Sequence, residues 1–374
     1  MKFLEYIELN PKVSLEKGKE YPFIEMNNVS TQYRNPEFID IKEFNSGVRF
    51  QDGDTVIARI TPCLQNGKRF YCKNIGSGFG STEYLVFRSK DTNIVDSLFL
   101  YYFMNTEFIR KSMINSMTGA TGRQRVNNDV FNTIDIKFPE IKTQRRIADI
   151  LSAYDDLIEN NQKQIKLLEE AAQRLYKEWF IDLCFPGYEQ TKIIDGVPEG
   201  WEISTLDKVA NLKAGGDKPK VYSDIVNSVC KIPIYSNGSE NEGLYGYTDK
   251  ARILEECITI SARGNVGYAC LRRTPFVPIV RLISVIPIDI DVIYLYYYLK
   301  NLSFDSNGAA QQQITIPMIK EYKVIVPSEE ILLEYRKVAC SIHDKIDIIK
   351  NQNTLLKESR DRLLPKLISG EIEV

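Results

Sequence analysis

Histidine, paired cysteines and long apolar runs are what this sequence lacks. Its 374 residues contain one histidine, His343, and seven cysteines, none of which forms a C-x-x-C pair. A zinc site or a disulfide framework is therefore not expected. The most apolar stretch, 275–299, is interrupted by charged residues, and the N-terminus has no basic region followed by a long apolar run. We therefore expect no membrane segment and a cytoplasmic protein with reduced thiols.

Catalytic motifs are also missing. The sequence has no G-x-x-x-x-G-K-[ST] phosphate loop and no G-x-G-x-x-G after a strand, two patterns with which many enzymes bind nucleotides. The Asn-Pro pairs at 10–11 and 35–36 continue with Lys and Glu, whereas amino-methyltransferases continue with Pro and an aromatic residue to hold a flipped base. His343 is expected to be a solvated helical residue and not a catalytic base. We predict no catalytic residue, no metal site and no cofactor in this chain.

The balance of charge limits how the chain can bind a nucleic acid. It has 48 Lys and Arg against 50 Asp and Glu, a net charge of −2. Phosphate contacts supply most of the affinity for DNA, so a DNA-binding role would need a partner that adds positive charge. A chain of 374 residues with 43% hydrophobic content is expected to form two or three globular units.

The sequence repeats itself at an offset of 188 residues. Phe138-Pro139 lies opposite Val326-Pro327, and Leu167-Leu168 lies opposite Leu355-Leu356. Further counterparts at slightly different offsets are TGATGRQRV (118–126) with NGAAQQQITI (307–316), DSLFLYYFMN (96–105) with DVIYLYYYLK (291–300), and DTVIARI (54–60) with ECITISARG (256–264). The N-terminal parts of the two copies match poorly. The pattern indicates two copies of one scaffold that differ where they are exposed.

Each copy is predicted to be an α+β domain with a twisted, largely antiparallel sheet, followed by a long helix. Helical periodicity occurs near 94–114 and 290–302. Short apolar runs between turn residues predict strands at Thr55–Ile60, Glu83–Phe87, Thr133–Phe138, Cys257–Ser261 and Glu321–Val326. The predicted boundaries are 1–139 for the first domain, 140–186 for the first spacer helix, 187–327 for the second domain, and 328–374 for the second spacer helix and the C-terminal tail.

Two heptad seams predict that the long helices pair as an antiparallel coiled coil. Apolar residues recur at alternating spacings of four and three in both helices, as coiled-coil seams do. In a register whose paired numbers sum to 514, Asn161 meets Asn353 near the middle of both seams. The other layers of this register include Ile147 with Leu367, Tyr154 with Arg360, and Trp179 with Tyr335.

The polar Asn layer is expected to fix this register, because a slip would bury two unpaired amides at about 1–3 kcal/mol each. The alternative is that each seam packs on its own globular domain. Pro365 cannot donate a backbone hydrogen bond and is expected to kink or end the second helix, which makes Leu367 a doubtful last layer.

Polar clusters at equivalent places of both copies indicate contacts with nucleic acid. Arg, Asn and Gln make the bidentate contacts that distinguish guanine from adenine in the major groove. The candidates in the first copy are Arg59, Thr61, Gln65, Asn66, Lys68, Arg123, Gln124 and Arg125. Those in the second copy are Asn237, Ser239, Asn241, Arg263, Asn265, Gln311, Gln312 and Gln313. Each cluster by itself is equally consistent with a solvated loop.

Several stretches taken together resemble the specificity (S) subunit of type I restriction–modification systems. They cover nearly the whole chain and occur in order. They are STEYLVFR (81–88), TQRRIADILSAYDDLIE (143–159), KEWFIDLCFPGY (177–188), the VPEGWE entry to the second half (197–202), and LLPKLISGEI (363–372). Each string alone would be weak, and the ordered combination is specific.

The resemblance implies a non-catalytic subunit with two target-recognition domains, each reading one half of a bipartite double-stranded DNA sequence. It also implies two adenine methyltransferase (modification) subunits, which would carry S-adenosylmethionine and dock on the helical regions and the recognition domains. Restriction subunits that use ATP and Mg would join them. The second copy has FVPIVRLISV (276–285) where the first has STEYLVFR, so the target is expected to be asymmetric.

Two other functions remain open at this point. One is a two-domain scaffold that binds proteins, and the absence of methyltransferase-dependent DNA selectivity would favour it. The other is a recognition fragment fused to an enzyme, against which the missing Asn-Pro-Pro run argues.

Overall fold

The chain divides into two compact units, and both long helices contribute to each unit. In the computed structural model, which describes residues 2–304 and 313–374, the first unit consists of Met1–Ile165 with Ile348–Val374. The second unit consists of Lys166–Asp347. The first unit is therefore discontinuous in sequence, and the second is one continuous segment.

The first unit contains two four-stranded sheets. Its strands are β1 (Ile7–Leu9), β2 (Glu20–Ile24), β3 (Asp40–Glu43), β4 (Val48–Gln51), β5 (Thr55–Ala58), β6 (Arg69–Tyr71), β7 (Ser77–Gly80) and β8 (Tyr84–Ser89). One sheet has the order β1-β8-β5-β6 and is antiparallel. The other has the order β3-β2-β7-β4, in which β2 and β7 run parallel.

The core of the first unit forms around two strands that are almost wholly buried, β5 and β8. Its short helices are α1 (Phe3–Tyr6), α2 (Ser97–Met104), α3 (Glu107–Asn115) and α4 (Val130–Thr133). Every residue of β5 and all but one of β8 are buried, and Leu85 of β8 shares a cluster with Phe99 of α2 and Phe131 of α4. Asp96 begins α2 as its N-cap, because its carboxylate accepts the N–H groups of Leu98 and Phe99.

The first long helix, α5 (Ile141–Tyr176), is followed by a π-helical turn at Lys177–Ile181. The strands of the second unit are β9 (Ile193–Ile194), β10 (Val197–Pro198), β11 (Glu202–Thr205), β12 (Ala210–Ala214), β13 (Ile232–Tyr235), β14 (Leu244–Thr248), β15 (Cys257–Ile260), β16 (Ala269–Arg272), β17 (Val277–Pro278), β18 (Ile283–Pro287) and β19 (Lys323–Val326). Its helices are α6 (Leu206–Val209), α7 (Val292–Lys300), α8 (Ile316–Ile319) and the second long helix, α9 (Glu329–Ser369).

The two units repeat one topology, which confirms the predicted duplication. The order β12-β18-β15-β16 in the second unit matches β1-β8-β5-β6 in the first. The order β14-β13-β17 matches β3-β2-β7, including one parallel pair. Asp291 caps α7 as Asp96 caps α2. The two copies have therefore kept one arrangement of strands.

The predicted single sheet and one predicted strand were wrong. Over the residues that the structure describes, the first copy has two sheets, and the second has four, two of which contain only two strands. In both copies a second layer with a parallel pair forms around the half-exposed strands β2 and β13. Residues 133–138, predicted as a strand, begin at the end of α4 and continue without a strand. Their backbone contacts are single ones, such as the N–H of Phe3 donating to the carbonyl of Ile134 at 3.0 Å.

The predicted antiparallel register is found within each unit. In the first unit, Nδ2 of Asn161 donates to Oδ1 of Asn353 at 2.9 Å, and Ile147 and Leu367 share the apolar cluster. In the second unit, the rings of Trp179 and Tyr335 lie 5.9 Å apart between centroids. The antiparallel coiled coil is therefore confirmed, although the seams also contact the cores of their units.

Pro365 does not end the second helix, which was one of the two effects predicted for it. α9 continues to Ser369, and Leu367 is 3% exposed within the apolar cluster of the first unit. Proline removes one backbone hydrogen bond. Burial of Leu367, with Leu363, Leu364 and Ile368 packed against the same cluster, offsets that loss.

A buried ion pair lies next to the predicted layer of Tyr154 and Arg360. Nη1 of Arg360 is 2.5 Å from Oδ1 of Asp155, whose side chain is 2% exposed. The hydroxyl of Tyr102 donates to Oδ2 of Asp155 at 2.5 Å. Burial and the charge of Asp155 raise the pKa of Tyr102 well above its ordinary value, so the hydroxyl stays protonated and available as a donor.

His343 is buried, contrary to the prediction of a solvated helical residue. It is 7% exposed, and its Nε2 is 3.2 Å from the hydroxyl of Tyr297. The aromatic rings of Tyr296 and Tyr297 pack against it. Its place corresponds to that of Asp155 in the first copy, at the offset of 188 residues.

Within residues 2–304 and 313–374, no helix is both long and apolar enough to cross a bilayer.

The lowered pKa of Lys357 predicts that the stability of the first unit depends on pH. Burial, together with the charge of Arg360, lowers the pKa of Lys357 to about 8, from 10.5. Between these two values the unfolded chain holds a proton that the folded chain has released, so stability rises with pH. We expect the stability of wild type relative to Lys357→Met to increase by on the order of 1–2 kcal/mol between pH 7 and pH 10.

Urea denaturation at the two pH values measures this difference. Lys366→Met, at a half-exposed site on the same helix, is the matched control for removal of a lysine charge. An unchanged difference for Lys357→Met would mean that the ammonium group is not disfavoured by the fold.

Candidate nucleic-acid interface

Two candidate clusters of the first copy lie together. The loop after β5 and the segment 118–126 are joined by short antiparallel contacts. The N–H of Thr61 donates to the carbonyl of Gln124 at 2.9 Å, and the N–H of Val126 donates to the carbonyl of Arg59 at 3.0 Å. Leu64, which is 2% exposed, anchors the loop in the core. Residues distant in sequence thus form one polar surface.

The segment 118–126 is a β-hairpin whose tip projects polar groups. Thr118 and Arg125 exchange backbone hydrogen bonds of 2.9 Å in both directions, and a turn closes between Ala120 and Arg123. Gly119 has φ of +120° and a Cβ there would approach the carbonyl of Arg123 at 3.3 Å, so glycine suits this turn. The hairpin presents Arg123 outward.

Several candidates of the first copy already have partners in the fold. Arg125 forms a bidentate ion pair with Glu83, with Nη2 to Oε1 at 2.6 Å and Nε to Oε2 at 2.9 Å. This contact lowers the pKa of the Glu83 carboxyl. Nζ of Lys68 donates to the carbonyl of Met26 at 2.9 Å, and Arg59 donates to the carbonyl of Val126 at 3.3 Å. Arg125, Lys68 and Arg59 thus support the surface.

Arg123 and Asn66 are the candidates of the first copy best placed to meet a ligand. Both are exposed. In the part of the chain that the structure describes, their side chains make no hydrogen bond or ion pair. Gln124 is half-buried, and Gln65 donates from Nε2 to the hydroxyl of Thr61 at 3.3 Å.

One exposed cation beside this surface was missed by the sequence analysis. Arg110 of α3 donates to the carbonyl of Gln65, and it lines a cleft of about 420 Å³ with Arg69 and Asn105. Arg110 lies on a helix, whereas the candidate contact residues were predicted from their positions in loops. An arginine spaced along an otherwise ordinary amphipathic helix is not distinguishable from a solvated one by pattern alone.

The candidates of the second copy line a turn and an open cleft. The turn 236–243 is closed by the N–H of Ser236, which donates to the carbonyl of Gly243 at 2.8 Å. A cleft of about 430 Å³ is lined by Asn237, Ser239 and Asn265 among others, and Asn241 is exposed in the same turn. The turn and the S-A-R-G-N segment are therefore brought together.

Asn237 supports this cleft through both ends of its amide. Nδ2 donates to the carbonyl of Val280 at 2.7 Å, and Oδ1 accepts the N–H of Ala262 at 2.7 Å. Base recognition by Asn237 would require both bonds to break. Ser239 and Asn265 are exposed and better placed for contact.

Gln313, the last residue of the glutamine run, meets the loop after β15 as the first hairpin meets the loop after β5. Nε of Arg263 donates to Oε1 of Gln313 at 3.1 Å, and the N–H of Ile314 donates to the carbonyl of Ala262 at 3.0 Å. Gln311 and Gln312 lie outside the described residues. Within the described residues, no group of three or more His, Cys, Asp or Glu side chains is placed to hold a metal ion.

Comparison with known sequences gives a match to one family over both copies. The family described as "Type I restriction modification DNA specificity domain" matches residues 8–170 and, a second time, residues 198–362. Together the two matches cover more than half of the chain, and each spans one copy with most of its long helix.

Individual relatives agree with this match. The chain is 26% identical over 308 residues to the type I restriction enzyme MjaIX specificity subunit of Methanocaldococcus jannaschii, covering 75% of this chain and 70% of that protein. It is 26% identical over 439 residues to the type I restriction enzyme HindI specificity subunit of Haemophilus influenzae, covering 94% of each.

A solved structure has the same fold. The S subunit of the type I restriction–modification system from M. genitalium aligns with a TM-score of 0.58 at 19% identity, over 98% of this chain and 95% of that one. At this identity the likeness establishes the fold alone.

Proposed function

We propose that this chain, which belongs to the type I restriction–modification DNA specificity family, selects the DNA sequence on which such a system acts. The observation that carries the proposal is the double match of the family to a duplicated fold. A protein with two similar domains, each with its own polar surface, is suited to bind a DNA target that has two parts. The part of each copy that lies outside the long helices is its recognition segment.

Each recognition segment reads one half of the target in this proposal. The first presents Arg123 and Asn66 on its surface, whereas the second presents Ser239 and Asn265 at a cleft, with Asn241 exposed in the adjoining turn. Side chains of different hydrogen-bonding character recognise different bases. The two half-sites therefore differ, and the bipartite target is asymmetric.

The long helices set the separation of the half-sites and dock two adenine methyltransferase subunits. In this proposal the methyltransferases hold S-adenosylmethionine, and restriction subunits, where present, use ATP and Mg²⁺. The chain itself contributes no catalytic residue and works in the cytoplasm on double-stranded DNA. Its net charge of −2 supports a dependence on partners, because neutralising phosphates requires positive charge that this chain does not have in excess.

Co-expression tests the proposal directly. The chain is produced with an adenine methyltransferase from the same operon in a host free of DNA methylation, and N6-methyladenine is mapped by long-read sequencing. A bipartite, asymmetric motif that requires this chain is expected. A stable complex that yields no motif would refute the proposal and favour a protein-binding scaffold.

Reciprocal variants then assign the half-sites. Arg123→Ala with Gln124→Ala should weaken methylation through one half-site, and Arg263→Ala with Asn265→Ala should do so through the other. Loss of a bidentate contact corresponds to about 1–3 kcal/mol of discrimination at the affected base. Equal loss on every sequence would show that these residues contact phosphates and not bases.

A further inference from the structure

A pair of acidic residues on α5 holds a buried arginine in the first unit. Asp156 and Glu159 are three positions apart and so lie on one face of the helix. Nη2 of Arg34, in the connection between β2 and β3, is 2.6 Å from Oδ1 of Asp156 and 2.7 Å from Oε1 of Glu159. The side chain of Arg34 is 1% exposed. The recognition segment is thus tied to the helix through a buried guanidinium, whereas the side chain of Asp156 remains 54% exposed.

An equivalent acidic pair on α9 holds another arginine in the second unit. Asp344 and Asp347 occupy the positions of Asp156 and Glu159 at the offset of 188 residues. Arg273 follows β16. Its Nη2 is 2.7 Å from Oδ1 of Asp344, and its Nη1 is 2.7 Å from Oδ2 of Asp347.

The two arginines come from different places in the duplicated fold. Thr55 pairs with Tyr71 in the first copy, and Cys257 pairs with Arg272 in the second. The first-copy counterpart of Arg273 is therefore Cys72, which is buried and free. Inheritance from a common copy would place both arginines at equivalent positions. The acidic pair is the shared part, and each recognition segment supplies its own arginine.

We propose that the two acidic pairs are sockets that fix the orientation of each recognition segment on its long helix, with Arg34 and Arg273 as the positioning residues. The inference rests on the proposed function, because orientation matters when two half-sites are read at one separation. A guanidinium held by two carboxylates constrains direction as well as distance. Without it, the segment can still read its bases but tolerates other separations.

Methylation of targets with altered spacing tests this role. Complexes of the full chain with its methyltransferase are prepared with wild type, Arg273→Met and Arg273→Lys. Plasmids carry both half-sites at the native separation, or with one base pair added or removed. The ratio of methylation at native to altered spacing should fall about tenfold for Arg273→Met, with both half-site sequences unchanged. Arg273→Lys should recover part of the ratio, because lysine keeps the charge without the fork.

Arg34→Met should lower the ratio in the same way through the first unit. Arg273, whose side chain is 21% exposed, is the variant with less risk of misfolding. The matched control is Arg88→Met, which removes the pair between Arg88 and the buried Asp54, with Nε to Oδ1 at 2.6 Å. Both residues lie inside the recognition segment, so the spacing ratio should not change.

An unchanged ratio for Arg34→Met and Arg273→Met, in complexes that still methylate the native target, overturns the socket proposal. An equal fall for Arg88→Met also overturns it, because general destabilisation would then explain the effect. Absence of any motif with the wild-type chain would refute the proposed function instead, so the two failures are distinguishable.

Discussion

Replacing Arg360 with methionine is expected to destabilise the first unit by about 3–5 kcal/mol. Asp155 would keep the hydroxyl of Tyr102 at 2.5 Å but lose the guanidinium, also at 2.5 Å. A neutral donor cannot replace a cation in a site closed to water, because the carboxylate has been removed from its hydration. Hydrogen exchange of the amides of α2 and α5 measures the loss as reduced protection.

The double variant Asp155→Asn with Arg360→Met should recover most of this stability. Both charges are then absent, and the amide oxygen of the new side chain still accepts the hydroxyl of Tyr102. The second unit already has His343 in place of Asp155, with Tyr297 as its neighbour. Arg362→Met, at an exposed site on the same helix, should change stability by less than about 0.5 kcal/mol. Equal losses in the single and double variants would contradict the ion-pair explanation.

Asn161→Leu is the second change with a large expected effect. It leaves the amide of Asn353, which is 5% exposed, without the partner that it has at 2.9 Å. An unpaired buried amide destabilises by about 1–3 kcal/mol. The same change removes the polar layer that opposes other registers of the two helices.

Leucine at both positions should restore or increase stability, because the layer then becomes apolar on both sides. A double-mutant cycle in urea measures the coupling between Asn161 and Asn353. Asn160→Leu, at the exposed neighbouring position, is the matched control and should be nearly neutral. If the effects of the two leucines simply add, the amides do not act as a pair.

The helical register could be predicted because two independent patterns agree. The heptads align the seams, and a single Asn near the middle of each seam selects one antiparallel alignment among several. The pairing of Trp179 with Tyr335 then follows without further information. Topology was predicted only in part, since β2 contains Pro22 and its parallel partner β7 contains Gly78 and Gly80, residue types that do not indicate strands.

Charged residues that the fold buries could not be predicted from the sequence. Arg34 is closed from solvent by acids more than a hundred positions away, and no local pattern separates it from a solvated arginine. Arg125, a candidate for base contact, is exposed but also has a partner distant in sequence, Glu83. Contact residues predicted from loop position alone therefore include both side chains that support the surface and side chains that can bind a ligand. Partners distant in sequence determine the group to which each side chain belongs.

The discontinuity of the first unit orders the folding of the chain during synthesis. Residues 166–347 form the second unit without help from later segments, whereas the first unit includes residues 348–374. Until that stretch leaves the ribosome, Asp155 has no guanidinium and Asn161 has no amide partner. The entropic cost of closing a loop grows only slowly with its length, so a loop of about 180 residues costs little more than a shorter one. The delay before residues 348–374 are synthesised is therefore the larger obstacle to folding of the first unit. The nascent first half is therefore expected to leave exposed the apolar residues that pack against Leu363 and Leu367 until the C-terminal stretch has been synthesised.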